Sequence, residues 1–173
     1  MQNKSRRDFL GKTAALGSLV YFTPNWRNAM PPLATDPIDP KIVKEFVGVA
    51  HNNLDRVKEI AAEYPHIINA AWDWGDGDFE MAIGAAGHMG HREYAEFLLA
   101  NGARADIFVL AMLGETDIVK ATIERYPNLL FSLGPHGFTL LHHAKQGGEK
   151  AKELFDYFSE KGLKEMHVKI YKR

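Results

Sequence analysis

Two stretches of this chain repeat each other 62 residues apart. Asn52-Asn53-Leu54-Asp55-Arg56-Val57-Lys58 leads into a segment closed by Glu63-Tyr64-Pro65, and Gly114-Glu115-Thr116-Asp117-Ile118-Val119-Lys120 leads into one closed by Arg125-Tyr126-Pro127. Asp, Val, Lys, Tyr and Pro recur in register. A fixed period shared by otherwise different residues points to a repeat architecture, in which each unit is too small to bury its own apolar face and must stack on the next.

The segments between the echoes fit that reading. Runs of 8–12 residues carry one apolar stripe each, as in Ile118, Val119, Thr122 and Ile123, or Ala151, Leu154, Phe155 and Phe158. Helices this short are not stable alone in water and must bury the stripe on a neighbour. The position preceding the second helix of each pair falls at Asn52, Gly90, Gly114 and Gly147, giving intervals of 38, 24 and 33 residues. The fold class expected is therefore all-α, with about four helix-turn-helix units. A compact bundle is the alternative, but bundles use longer helices and need no repeated Gly or Tyr-Pro stops.

Several phrases resemble the ankyrin repeat. Gly137-Phe138-Thr139-Leu140-Leu141-His142-His143-Ala144 is similar to Gly-x-Thr-Pro-Leu-His-x-Ala, with Leu140 in place of Pro, and Gly90-His91 followed by Phe97-Leu98-Leu99-Ala100-Asn101-Gly102-Ala103 matches a second part of that signature. The resemblance covers residues 41–163. It implies that Thr139 caps a short helix, that His142 and His91 are structural, and that the domain, 35–163, is a short capped solenoid binding a protein through its concave face and the fingers between units. The fingers are unequal. The long interval contains Trp72-Asp73-Trp74-Gly75-Asp76-Gly77-Asp78, read as a hairpin tip turning on Asp-Gly, whereas Ala103-Arg104-Ala105-Asp106 passes almost directly into the next helix.

Residues 1–34 read as an address. Ser5-Arg6-Arg7-Asp8-Phe9-Leu10-Gly11-Lys12 resembles the twin-arginine export motif, with the Lys one place late, and an apolar stretch follows from Thr13 to Phe22. Ten residues span about 15 Å as a helix, half of a bilayer core, so no stable transmembrane span is expected here. The resemblance implies recognition of Arg6 and Arg7 by the twin-arginine translocase. It also implies export of an already folded protein to the periplasm or beyond, or tethering at the membrane if the signal stays attached.

Composition excludes several functions. The net charge is −1, but the first 34 residues hold five of the 21 Lys/Arg and only one of the 22 Asp/Glu, leaving a mildly acidic body. Such a body does not suit nucleic acid, which needs a basic face. With no Cys there is no disulfide, thiolate metal site or thiol nucleophile. No Gly-x-Ser-x-Gly elbow, P-loop or dinucleotide fingerprint is present, so a non-catalytic protein without a cofactor is expected.

Eight His raise the question of a metal. The local pairs are His88/His91 and His142/His143, but Gly90 interrupts the first and both pairs overlap the structural His of the resemblance, so no metal site is assigned from sequence. Aromatics with isolated charges anchor interfaces, which selects Trp72, Trp74, Asp76, Asp78 and Phe79 in the large finger and His136 and Phe138 in the later one as protein-binding residues. A metal- or cofactor-handling envelope protein using the His clusters is the alternative. The tail, 164–173, alternates apolar with polar and is read as either a short strand or a basic end.

Overall fold

The computed structural model describes residues 36–170. Residues 1–34, read from sequence as an export signal and linker, lie outside them. Within them the chain runs α1 (Pro40–Val49), α2 (Leu54–Glu63), β1 (Ala71–Asp73), β2 (Phe79–Met81), α3 (Ala82–Met89), α4 (Arg92–Ala100), α5 (Ile107–Leu113), α6 (Thr116–Arg125), α7 (Leu140–Gln146) and α8 (Lys152–Glu160), with short 3₁₀ turns between. None of these helices is long and apolar enough to cross a membrane.

The helices form four consecutive pairs. The first helix of each pair packs on the first helix of the next, α1 on α3, α3 on α5 and α5 on α7, while α3 also touches α7. Two apolar clusters fill the stack. One is centred on Phe46, Ile60, Ile67, Ile83 and Leu98, the other on Ile123, Leu140, Leu154 and Phe158. The inner helix α3 is nearly all Ala, Gly and Ile and is buried from Ala82 to His88. Its small side chains let flanking helices approach closely, and a methyl group on Gly87 would press on Val109 of α5.

Local signals set the helix ends. Asp39 caps α1 ahead of Pro40, Asn53 caps α2, Asp106 caps α5 by accepting from the N–H groups of Phe108 and Val109, and Thr139 caps α7. The sequence echo is a conformational echo too. Tyr64 (φ −124°, ψ 76°) and Tyr126 (φ −131°, ψ 75°) end α2 and α6 in the extended conformation that a following Pro imposes. Each then leads into a five-residue 3₁₀ turn, Pro65–Asn69 or Pro127–Phe131. Gly114, at φ 75°, closes α5 where a Cβ would run into the backbone carbonyl of Lys150. The start of α8 differs from expectation: a 3₁₀ turn, Gly148–Ala151, intervenes after Gly147.

The connections between pairs differ as their lengths suggest. β1 and β2 form an antiparallel hairpin with Trp72 opposite Glu80 and Asp73 opposite Phe79. The third pair has no finger: Asn69 accepts from the backbone N–H of Arg104 and donates to the carbonyl of Gly102, tying the short connection down. The tail turns back as a strand-like segment. Thr139 N–H donates to Met166 and Val168 N–H to Gly137, so residues 166–168 brace the turn before α7.

Candidate metal centre

Three histidines and one glutamate meet where the first, second and fourth units face one another. His51 comes from the turn after α1, Glu80 from β2, His88 from the end of α3, and His136 from the turn before α7. One ligand atom from each lies within 4.8 Å of all the others. Glu80 is the hub. Its Oε1 lies 2.8 Å from His88 Nε2, and its Oε2 lies 3.3 Å from His136 Nε2 and 3.6 Å from His51 Nε2. The Glu80 side chain is fully buried, and an isolated carboxylate there would be costly. Trp74 Nε1 donates to Oε2 at 2.8 Å.

Hydrogen bonds at the far side of two rings define their tautomers. His51 Nδ1 lies 3.0 Å from the carbonyl of Gly48 and 3.2 Å from that of Val47, at the end of α1. His136 Nδ1 lies 2.7 Å from Asp78 Oδ2. Carbonyl and carboxylate oxygens only accept, so each Nδ1 carries the hydrogen and each neutral ring presents a lone pair at Nε2. Both lone pairs face the same carboxylate oxygen, an arrangement that needs a cation or added protons between them. Ligating histidines are oriented in this way, with the other ring nitrogen donating to a carbonyl or carboxylate.

A second set of histidines holds the first. His91 Nε2 donates to the backbone carbonyl of His51, His142 Nε2 to that of His88, and His167 Nε2 to that of His136, at 2.8, 2.8 and 2.9 Å. Each of the three histidine ligands is thus pinned through its own main chain by another imidazole. Burial lowers the His142 pKa from its ordinary value. The Phe138 ring stacks on His88 and on His142, with centroids 5.1 and 4.1 Å away.

The structure separates the residues singled out from sequence. Alternation along the hairpin turns Trp72, Trp74, Asp78 and Glu80 to one side and Asp73, Phe79 and Met81 to the other. Trp74, Asp78, His136 and Phe138 therefore gather around the centre. Trp72 is half-buried under Lys44, whose Nζ sits 5.5 Å from its ring. Asp76 is exposed at the hairpin tip at φ 52°. Phe79 stays 63% exposed. It lines a groove of about 480 Å³ with Phe108, Leu133, Pro135 and Ile170, in the space beside the finger the third unit lacks.

Neither local His pair acts as a unit. His88 joins the centre while His91 stacks on Tyr94 and bonds to His51. His142 bonds to the His88 carbonyl in α3, while His143 donates Nδ1–H to the carbonyl of Thr139 at the start of α7. His51 and Glu80 were not selected from sequence. No local spacing links donors that lie up to 85 positions apart, from His51 to His136.

No protein-family model matches the chain, and no curated protein matches it.

Proposed function

We propose that this protein is a helical-repeat metalloprotein that holds one divalent transition-metal ion through His51, Glu80, His88 and His136. The observation that carries this reading is the pair of Nε2 lone pairs, on His51 and His136, directed at one buried carboxylate oxygen. Two ligand atoms about 2.1 Å from an ion are at most about 4.2 Å apart, and about 3.4 Å apart in a tetrahedron, so a cluster whose ligand atoms lie within 4.8 Å of one another must contract to hold the ion. Three imidazoles and one carboxylate suit Zn(II), Fe(II), Mn(II), Co(II) or Ni(II). The lack of sulfur disfavours Cu(I), and three nitrogen donors disfavour Ca(II) and Mg(II).

The rest of the reading is compatible with four stacked helix pairs of ankyrin type, exported folded by the twin-arginine route. The test of the centre is metal content. Chelator-stripped protein, offered Zn(II), Co(II) or Mn(II) singly, should take up one ion per chain by elemental analysis and calorimetry, and a Glu80→Gln/His88→Ala variant should take up none. Failure of the wild-type chain to bind any of them sinks the assignment. For export, an Arg6→Lys/Arg7→Lys variant should remain cytoplasmic, and normal export would refute the signal.

A second reading, a scaffold that binds a protein in the cell envelope, is favoured by the groove beside Phe79 and Leu133. A Phe79→Ser/Leu133→Ser variant should then lose a partner in pull-downs from envelope extract. Equal recovery of every protein would remove this face from consideration.

A further inference from the structure

We infer that the metal centre keeps an exchangeable coordination position at its mouth, between His51 and His136, and that this position takes a small monodentate anion or its resting equivalent, water or hydroxide. The inference rests on the proposed metal centre. It arises from the uneven burial of the four donors. The side chains of Glu80 and His88 are 0% and 4% exposed, whereas those of His51 and His136 are 23% and 27% exposed. The deep side is closed by Glu80, by His88 and by the Phe138 ring stacked on it. On the outer side stand the two rings, each about a quarter exposed, whose centroids are 6.2 Å apart and tilted by 35°, and Trp74, 6.3 Å from His51 and 6.0 Å from His136. An ion held by these donors would have its two more exposed ligands on that side. Structural sites are closed by protein on all sides, whereas sites that exchange a ligand keep a solvent-facing position.

Charge selects the ligand. A divalent ion with Glu80 as its one anionic ligand keeps a net positive charge at the rim. The nearby carboxylate of Asp78 is directed to His136, accepting from its backbone N–H at 2.8 Å and from its ring at 2.7 Å. No Lys or Arg side chain forms an ion pair with any of the four donors among the described residues. The ligand's negative charge would therefore be met by the metal itself. The flanking rings of Trp74, His51 and His136 restrict the position to something of a few atoms.

The test uses the full chain loaded with one equivalent of Co(II), whose visible ligand-field bands report coordination number and ligand exchange. Azide is the probe. Titration should shift the bands saturably, with cobalt remaining on the protein through gel filtration. Bound cobalt with a four-coordinate spectrum that azide leaves unchanged would overturn the open position and leave the metal assignment standing. Loss of cobalt as azide is added would also overturn it, because the anion would then compete with the protein ligands. Absence of cobalt binding would overturn both readings.

Discussion

Asp78 holds His136 twice, once through the ring and once through the backbone, although the two residues are 58 positions apart. His136 sits at φ 60°, a left-handed conformation that costs a non-glycine residue free energy. The carboxylate makes that conformation tenable and sets which ring nitrogen is free.

Replacing Asp78 by Asn is expected to act through this tautomer. An amide N–H facing His136 Nδ1 would make that nitrogen an acceptor and place the hydrogen on Nε2, where the metal should bind. Metal affinity should fall by roughly 10–100-fold, the usual cost of losing such an orienting partner. Competition against a chromophoric chelator measures it, and unchanged affinity would remove Asp78 from this role.

Metal should also stabilise the fold, because its donors join the first, second and fourth units. At a free concentration 100 times Kd, a ligand specific for the native state adds about 2.7 kcal/mol. For a domain of this size that raises Tm by several degrees. Thermal unfolding with and without metal checks this, and the Glu80→Gln variant should show no rise.

Acid should weaken the fold through His143. This ring is fully buried in α7, its Nε2 has no hydrogen-bond partner, and burial pushes its pKa down to about 4 from 6.5. The neutral form is the folded one. As pH falls through 6.5 the unfolded chain takes up a proton that the folded chain refuses until about pH 4, so stability drops across that window. The full effect is of order 3 kcal/mol. Urea midpoints from pH 7 to pH 4 should fall in the wild type, and His143→Leu should flatten that part of the profile.

Gly114→Ala should destabilise more than an ordinary surface change. The residue needs φ 75°, and its Cβ would overlap the Lys150 carbonyl. Strain and displacement together should cost about 1–3 kcal/mol, read as a lower urea midpoint with unchanged slope. The same change at Gly148, whose φ of 63° is also left-handed but where a Cβ meets open space, should cost less.

The periodic parts of this molecule could be read from the chain because their causes are local. Tyr-Pro forces the same backbone at Tyr64 and Tyr126, Asp-Gly turns the hairpin, Thr139 caps its helix, and the apolar stripes mark the faces that stack. The finger cluster was legible as a place of interest. Its division was not, since period-two alternation sends Trp74 and Asp78 inward and Phe79 outward only once the hairpin register is known.

The candidate centre depends on tertiary structure. His51, Glu80, His88 and His136 lie in separate elements, and no spacing among them resembles a metal motif. They meet because α1, α3 and the turn before α7 converge, and because the third unit contributes no finger to the gap between Glu80 and His136. The sequence by itself determined the helices, their ends and the repeat that makes them stack. Which polar side chains that stack brings face to face was decided by the packing of non-neighbouring units, where long-range geometry rather than local preference sets the contacts.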